Sequence, residues 1–138
     1  MKRYLLDTNV LLHVVNKANG HGLIEQRIAT TQPDQIRISA LTVWEISRMV
    51  EKSKVPSKAS KAAMAALTLF EVEPLTNISA AVGGNLHAFL ANRGLTIGER
   101  DSMIAGVALV NDLVMVTDNV REFQRVPGLS VENWRNPQ

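Results

Sequence analysis

Short apolar runs alternate along the chain with longer amphipathic stretches. The runs RYLL (3–6), IRIS (36–39), EVEPL (71–75) and LVMVT (113–117) have the length and composition of strands. LVMVT has the continuous apolar character of a strand that is covered on both faces, as in a parallel sheet. Strands that alternate with helices predict an α/β sandwich with a largely parallel sheet.

The stretches between these runs predict six helices, over residues 10–17, 22–31, 43–54, 58–70, 77–93 and 101–112. Thr8 or Asn9 is expected to cap the first helix and Thr42 the third, and Gly94 to end the fifth in a left-handed conformation. The spacing of Thr96 and Glu99 has the form of a capping box, which gives Glu99 a structural role.

Composition limits the class of protein. With 138 residues, 46% of them hydrophobic and 20% charged, the chain fits a single globular domain over residues 1–138. It contains no cysteine, which excludes disulfides and thiolate metal sites, and no segment long enough to cross a membrane. We expect a cytoplasmic protein. The net charge of +2 permits nucleic-acid binding without arguing for it.

Four acidic residues have unusual positions. Asp7 and Asp118 each follow an apolar run, and the carboxyl ends of parallel strands meet at one edge of a sheet. Asp101 begins a helical stripe that faces the core. Glu45 lies beside the apolar stripe of its own helix and is expected at a rim.

Each acid also has a structural interpretation when it is taken alone. Asp7 can cap a helix, Asp118 can form a turn, and Asp101 can stabilise a helix dipole. Glu45 can be a solvated helix residue. Carboxylates that share one crevice, however, must hold either protons or a cation. Oxygen ligands suit Mg²⁺ or Mn²⁺, and such a site acts on phosphate esters. The three histidines are interpreted as surface or packing residues.

Four sequence blocks resemble a known family: LLDTNVLL, SALTVWEIS, GLTIGERDSMIAGVAL and LVMVTDNVREFQRVPGLSVENW. They are similar to the signature blocks of PIN-domain ribonucleases, in particular the VapC-type toxins of bacterial type II toxin–antitoxin modules. The resemblance implies a single PIN domain over residues 1–138, with a PIN-like α/β/α sandwich around a central, mostly parallel sheet.

The resemblance also implies an active site. It assigns the catalytic acids to Asp7, Glu45, Asp101 and Asp118, and the Mg²⁺ ligands to Asp7, Asp101 and Asp118, with Mn²⁺ able to substitute. Thr8, Thr117 and Asn119 are expected to hold the carboxylates in place. Two positions depart from the family pattern: Met49 replaces a frequent glycine, and Arg100 precedes Asp101 where many relatives are uncharged.

The function implied by the resemblance is that of a toxin. A Mg²⁺-dependent endoribonuclease would cleave structured RNA, notably transfer RNA, and so inhibit translation. A cognate VapB-type antitoxin would neutralise it, and the chain would form a homodimer. The helical segments VLLHVV and KAAMAALTLF offer apolar faces for a dimer or for the core. Candidate RNA phosphate contacts are Arg48, Lys52, Lys54, Arg100 and Arg121.

Two alternatives remain open. A haloacid-dehalogenase-like phosphatase also begins with an aspartate after a strand, but it needs a second aspartate where this chain has Asn9. A non-catalytic PIN-like RNA-binding module would not need its acids. Hydrolysis of small phosphate monoesters would favour the first, and RNA binding that is unaffected by Asp7→Asn would favour the second.

Overall fold

Five parallel strands form the centre of the protein. A computed structural model describes residues 1–53 and 57–136. The strands are β1 (Tyr4–Leu6), β2 (Ile36–Ser39), β3 (Glu71–Glu73), β4 (Val114–Val116) and β5 (Val131–Glu132). They lie in the order β3-β2-β1-β4-β5 and every pairing is parallel. The predicted parallel sheet is therefore confirmed, and β5 is a strand that the sequence pattern did not predict.

Helices cover both faces of the sheet. They are α1 (Thr8–Val15), α2 (His21–Thr30), α3 (Ala40–Lys52), α4 (Lys58–Ala66), α5 (Asn77–Ala91), α6 (Glu99–Val110) and α7 (Val120–Phe123), with a turn of 3-10 helix at Pro33–Gln35. The six predicted helices are all present, and α7 is additional. Alternate residues of β1 and β4 point to opposite faces of the sheet, as the period of a strand requires. Leu5 and Met115 pack with α5 and α6, while Leu6 and Val116 pack with α1 and α2.

The N-termini of three helices differ from the prediction. Asp7, rather than Thr8 or Asn9, occupies the N-cap position of α1. Ser39, rather than Thr42, caps α3, because its hydroxyl accepts a hydrogen bond from the backbone N–H of Leu41. Helix α6 begins after Gly98 without a side-chain cap, so the predicted Thr96–Glu99 capping box is wrong. Glu99 instead occupies the first turn of α6. Gly94 does adopt the predicted left-handed conformation, with φ of +69°.

The apolar faces of α1 and α4 contribute to the core. Leu11 of α1 packs with Ile46 of α3 and with Ala63 and Ala66 of α4 in one buried cluster. The core interpretation of these faces is confirmed. The homodimer stays a prediction. Met64 and Leu69, which lie in the same predicted helical segment, are exposed hydrophobic residues.

Helix α6 is held unusually close to α5. A Cβ atom at Gly106 would lie 2.5 Å from the carbonyl oxygen of Ser79, and one at Gly83 would lie 2.9 Å from that of Ser102. The absence of side chains at these two positions lets the helix backbones approach each other. This contact fixes the position of Asp101, which lies in the first turn of α6.

Candidate active site

Asp7 lies at the carboxyl end of β1, where the sheet meets α1. Its backbone N–H donates to the carbonyl of Val116 at 2.9 Å, so the pairing of β1 with β4 fixes its place. Asp7 occupies the N-cap position of α1, yet its side chain makes no capping hydrogen bond. Instead, Oδ2 accepts a 2.9 Å hydrogen bond from the Thr117 hydroxyl, and Oδ1 is buried without a partner. Helix capping does not account for this carboxylate.

The surroundings of Asp7 disfavour its charge. The residue is only 2% exposed. Burial is the main cause that raises the pKa of Asp7 from 3.8 to about 6, and the nearby charges of Asp101 and Glu45 add to it. The hydrogen bond from Thr117 opposes the rise. Asp7, Glu45 and Asp101 therefore share one electrostatic environment.

Glu45 is a buried residue of α3 and is 8% exposed, so its interpretation as a solvated residue is wrong. Its Oε1 accepts a 2.8 Å hydrogen bond from the hydroxyl of Thr8. Since that hydroxyl has one proton, the 2.8 Å contact between Thr8 and Thr42 is donated by Thr42. The second oxygen, Oε2, lies 2.9 Å from Nη1 of Arg100. Two threonines and an arginine thus compensate the burial of this carboxylate.

Asp101 projects from the first turn of α6. Its Oδ1 lies 3.7 Å from Nη2 of Arg100, so this one guanidinium bridges Glu45 and Asp101. Burial raises the pKa of Asp101, Arg100 lowers it, and the carboxyl group of Glu122 raises it again by both charge and hydrogen bonding. Asp101 therefore lies between one cation and one further acid.

Glu122 is the acid that sequence reasoning missed. It lies in α7 and accepts a 3.1 Å hydrogen bond from the side-chain amide of Asn119. The predicted role of Asn119 in holding a carboxylate is therefore seen, but with Glu122 as the carboxylate. The spacing of Asn119 and Glu122, three residues apart at a helix start, was the available signal.

Asp118 has partners of its own. Its Oδ2 accepts a 3.0 Å hydrogen bond from Nη1 of Arg135, and Nδ1 of His13 lies 3.4 Å away. Asp118 follows β4, as predicted, but its carboxylate contacts Arg135 and His13. The structure thus brings Asp7, Glu45 and Asp101 together and holds the carboxylate of Asp118 in an ion pair with Arg135.

The donor set suits a hard divalent cation. The acids offer carboxylate oxygens, and the unpartnered Oδ1 of Asp7 is a buried acceptor that needs a positive partner. Within residues 1–53 and 57–136, no three acidic or histidine side chains converge closely enough to hold a metal ion together. The guanidinium of Arg100 bridges two of the carboxylates that would have to do so. The carboxylate oxygens of the site are suitable ligands for a divalent metal. In this structure, however, Glu45 and Asp101 are arranged around the guanidinium of Arg100.

Comparison with known proteins identifies the family. The family described as PIN domain matches residues 4–129. The chain is 33% identical over 134 residues to the tRNA(fMet)-specific endonuclease VapC of Salmonella typhimurium. The aligned region covers 97% of this chain and 99% of that protein. The chain is also 33% identical, over 137 residues, to ribonuclease VapC2 of Haemophilus influenzae, with the same coverage. This chain is a VapC-type PIN domain.

Solved structures agree with this VapC-type fold. DNA-bound VapBC from Salmonella typhimurium has a TM-score of 0.79 at 33% identity, covering 97% of this chain and 99% of that one. VapBC2 from Rickettsia felis, bound to a DNA fragment from its promoter, has a TM-score of 0.80 at 30% identity, with 95% and 98% covered. The predicted family and its α/β/α sandwich are confirmed, and the haloacid-dehalogenase alternative is wrong.

The basic residues of this VapC-type domain occupy different settings. Arg48, Lys52 and Arg121 are exposed, and Arg48 lies 5.1 Å from the ring centre of Trp44, which is itself 59% exposed. Arg100 pairs with the acids, and Lys54 lies outside the described residues.

In the part of the chain that the structure describes, no helix is both long and apolar enough to span a membrane.

Proposed function

We propose that this chain is a metal-dependent endoribonuclease that acts as the toxin of a toxin–antitoxin pair. The observation that carries the proposal is the buried carboxylate of Asp7, which lies near Glu45 and Asp101 and has one oxygen without a partner. The similarity to VapC endonucleases over 97% of the chain supports RNA as the substrate, with transfer RNA as the preferred class. Similarity to VapBC complexes supports an antitoxin as the neutralising partner.

Mg²⁺ is the proposed cofactor, and Mn²⁺ is expected to replace it. The ligands are Asp7 and Asp101, with Asp118 as the third ligand once its pair with Arg135 opens, and Glu122 as the competing candidate for that place. Bound Mg²⁺ neutralises the charge of a phosphodiester and polarises its bonds. PIN-domain VapC nucleases generally depend on a divalent metal, which supports this cofactor.

The roles of the protein groups follow from their contacts. Thr117 donates to Oδ2 of Asp7 and leaves Oδ1 without a partner, so Oδ1 would be available to bind the ion. Thr8 fixes Oε1 of Glu45, and Oε2, which lies 2.9 Å from Arg100 in this structure, would accept a proton from a water molecule once Arg100 has moved away. Because Asp7 must be ionised to bind a cation, activity is expected to rise with pH through its pKa of about 6. Asp7, Glu45, Asp101 and Asp118 remain the proposed catalytic acids.

The proposal extends to the setting of the protein. A single PIN domain over residues 1–138 would act in the cytoplasm, where transfer RNA is used, and would do so as a homodimer. The exposed residues Arg48, Lys52 and Arg121 are proposed to contact RNA phosphates. Arg48 and Trp44 together present a cation and an aromatic face, which suit an unpaired base and its phosphate.

The test uses the full chain, purified free of its antitoxin. Transfer RNA should be cleaved internally with Mg²⁺ or Mn²⁺, and chelation with EDTA should stop the reaction. Loss of a residue that only supports a metal ligand typically lowers activity by roughly 10–100-fold. Asp7→Asn and Asp101→Asn should each lower the cleavage rate by more than that. Asp34→Asn, at an exposed carboxylate of the 3-10 turn, is the control for lost charge. Cleavage that persists in EDTA would refute the metal-dependent mechanism.

Two further variants separate the candidates for the third ligand. If Asp118 binds the ion, Asp118→Asn should weaken Mn²⁺ binding more than Glu122→Gln, and the reverse order would assign the place to Glu122. The non-catalytic alternative makes a different prediction. Under it, Asp7→Asn would bind RNA and arrest growth as strongly as the wild-type chain.

A further inference from the structure

Arg100 lies at the mouth of the acidic cleft and contacts two of its acids. It is the second residue of α6, directly before Asp101. Its Nη1 lies 2.9 Å from Oε2 of Glu45, and its Nη2 lies 3.7 Å from Oδ1 of Asp101. One guanidinium therefore links an acid of α3 to an acid of α6. Within the described residues, no other Lys, Arg or His side chain forms an ion pair with either acid.

The acids of this cleft need a positive charge. Asp7 is 2% exposed and Glu45 is 8% exposed, and buried carboxylates at short range repel each other strongly. Arg100 supplies one positive charge, which lowers the pKa of Asp101. Oδ1 of Asp7 still has no hydrogen-bond partner. A single guanidinium thus compensates the cleft only in part.

Arg100 is held in a way that favours exchange. Its side chain is 42% exposed, so water reaches the guanidinium from the mouth of the cleft. Its Nε is buried without an acceptor, which costs free energy as long as this position is kept. An ion pair that is partly open to water is weak, and a buried donor without a partner weakens the arrangement further. The side chain can leave without breaking a complete network.

We propose that Arg100 is a built-in counter-ion that a divalent metal displaces from Glu45 and Asp101, and that the displaced guanidinium then binds a phosphate of the RNA. This inference rests on the proposed function. A guanidinium that pairs with Glu45 and Asp101 and a metal that binds Asp7 and Asp101 cannot lie at close range, because their positive charges repel each other. A guanidinium is also well suited to phosphate, since its planar array of donors binds two oxygens at once. Arg100 would therefore couple the arrival of the metal to the capture of substrate.

The first test measures metal binding and needs no activity. Mn²⁺ binding to the full chain is followed by electron paramagnetic resonance at about pH 8, above the raised pKa of Asp7. Arg100→Gln is expected to bind Mn²⁺ about tenfold more tightly than wild type. That is the repulsion expected between a unit charge and a divalent ion about 6 Å apart, even at the dielectric constant of water, about 80. Arg93→Gln, which removes the same charge from an exposed site after α5, should leave the affinity unchanged.

The second test measures the substrate. At saturating Mn²⁺, the KM of Arg100→Gln for transfer RNA should rise about tenfold, while kcat stays within a few-fold of wild type, since the loss of a phosphate contact mainly weakens binding. Arg100→Lys keeps the charge but not the paired donors, and should recover only part of the KM. An unchanged KM for Arg100→Gln would refute the substrate role.

A measurement on wild type covers the case in which Arg100→Gln fails to fold. The side-chain ¹⁵N resonances of Arg100 should move when diamagnetic Mg²⁺ is added, while those of Arg93 should not. Equal Mn²⁺ affinity of the wild type and Arg100→Gln, or Arg100 resonances that ignore Mg²⁺, would refute the displacement. A wild-type chain that neither binds Mn²⁺ nor cleaves RNA would instead count against the proposed function.

Discussion

Asp7→Asn should stabilise the metal-free protein although it removes the activity. The pKa of Asp7 is 3.8 ordinarily and about 6 in the fold. The folded state therefore holds the proton more tightly, so the contribution of Asp7 to stability is complete below about pH 3.8 and is lost as the pH rises through 6. About two pKa units at about 1.4 kcal/mol each give a loss of about 3 kcal/mol. Asparagine keeps an oxygen for the Thr117 hydroxyl and has no charge to bury.

The assay is urea unfolding in EDTA, followed by tryptophan fluorescence, because Trp134 is buried in the fold. Between about pH 4.5 and pH 8, wild type should lose about 2 kcal/mol more stability than Asp7→Asn. The asparagine amide would occupy the place of Oδ1, where it finds no hydrogen-bond partner. The stability that Asp7→Asn gains at pH 8 is therefore expected to be smaller than the stability that wild type loses through ionisation. Adding Mg²⁺ should raise the stability of wild type and leave the variant unchanged. Equal pH dependence of the two proteins would show that burial does not penalise this carboxylate.

Two further predictions concern the support of the site. Thr117→Val removes the hydroxyl that donates to Asp7, so the pKa of Asp7 should rise further above 6, and the rising limb of the pH–rate profile should move to higher pH; an unmoved limb would assign it to another group. Gly106→Ala places a Cβ 2.5 Å from the Ser79 carbonyl and should lower stability by about 1–3 kcal/mol in thermal unfolding. Gly84→Ala meets nothing within 4 Å in the neighbouring helix and should raise stability by up to about 1 kcal/mol, so equal effects would contradict the close approach of α5 and α6.

The sheet was predictable because β1 and β4 are continuous apolar runs between polar segments. Strand β5 was not, since two residues at Val131–Glu132 are too few to show a period. The N-terminal cap of α6 was also predicted wrongly, because a short local pattern does not determine where the helix begins. The residues of a capping box occur at Thr96 and Glu99, but the chain turns into the helix at Gly98 instead.

The acidic site was predictable in position and only partly in its contacts. Asp7 follows β1 and Asp101 begins α6, and both places can be derived from the pattern. Glu45 was expected at a rim because the apolar stripe of α3 was taken as its only buried face. Thr8 and Thr42 bury a polar face as well, and a contact between residues 8 and 45 leaves no local signal. For the same reason, the contacts of Glu122 with Asp101 and of Arg100 with two acids could not be derived from the sequence, although the spacing of Asn119 and Glu122 and the position of Arg100 before Asp101 could be read there.

The hydrogen bond between Thr117 and Asp7 joins residues that are 110 positions apart. Asp7 is therefore synthesised 110 residues before Thr117. The cleft can be completed only after β4 has been made, so a nascent chain that ends before β4 cannot yet hold Asp7 in place. Fragments that end before β4 would likewise lack Thr117 and the hydrogen bond that it donates to Asp7.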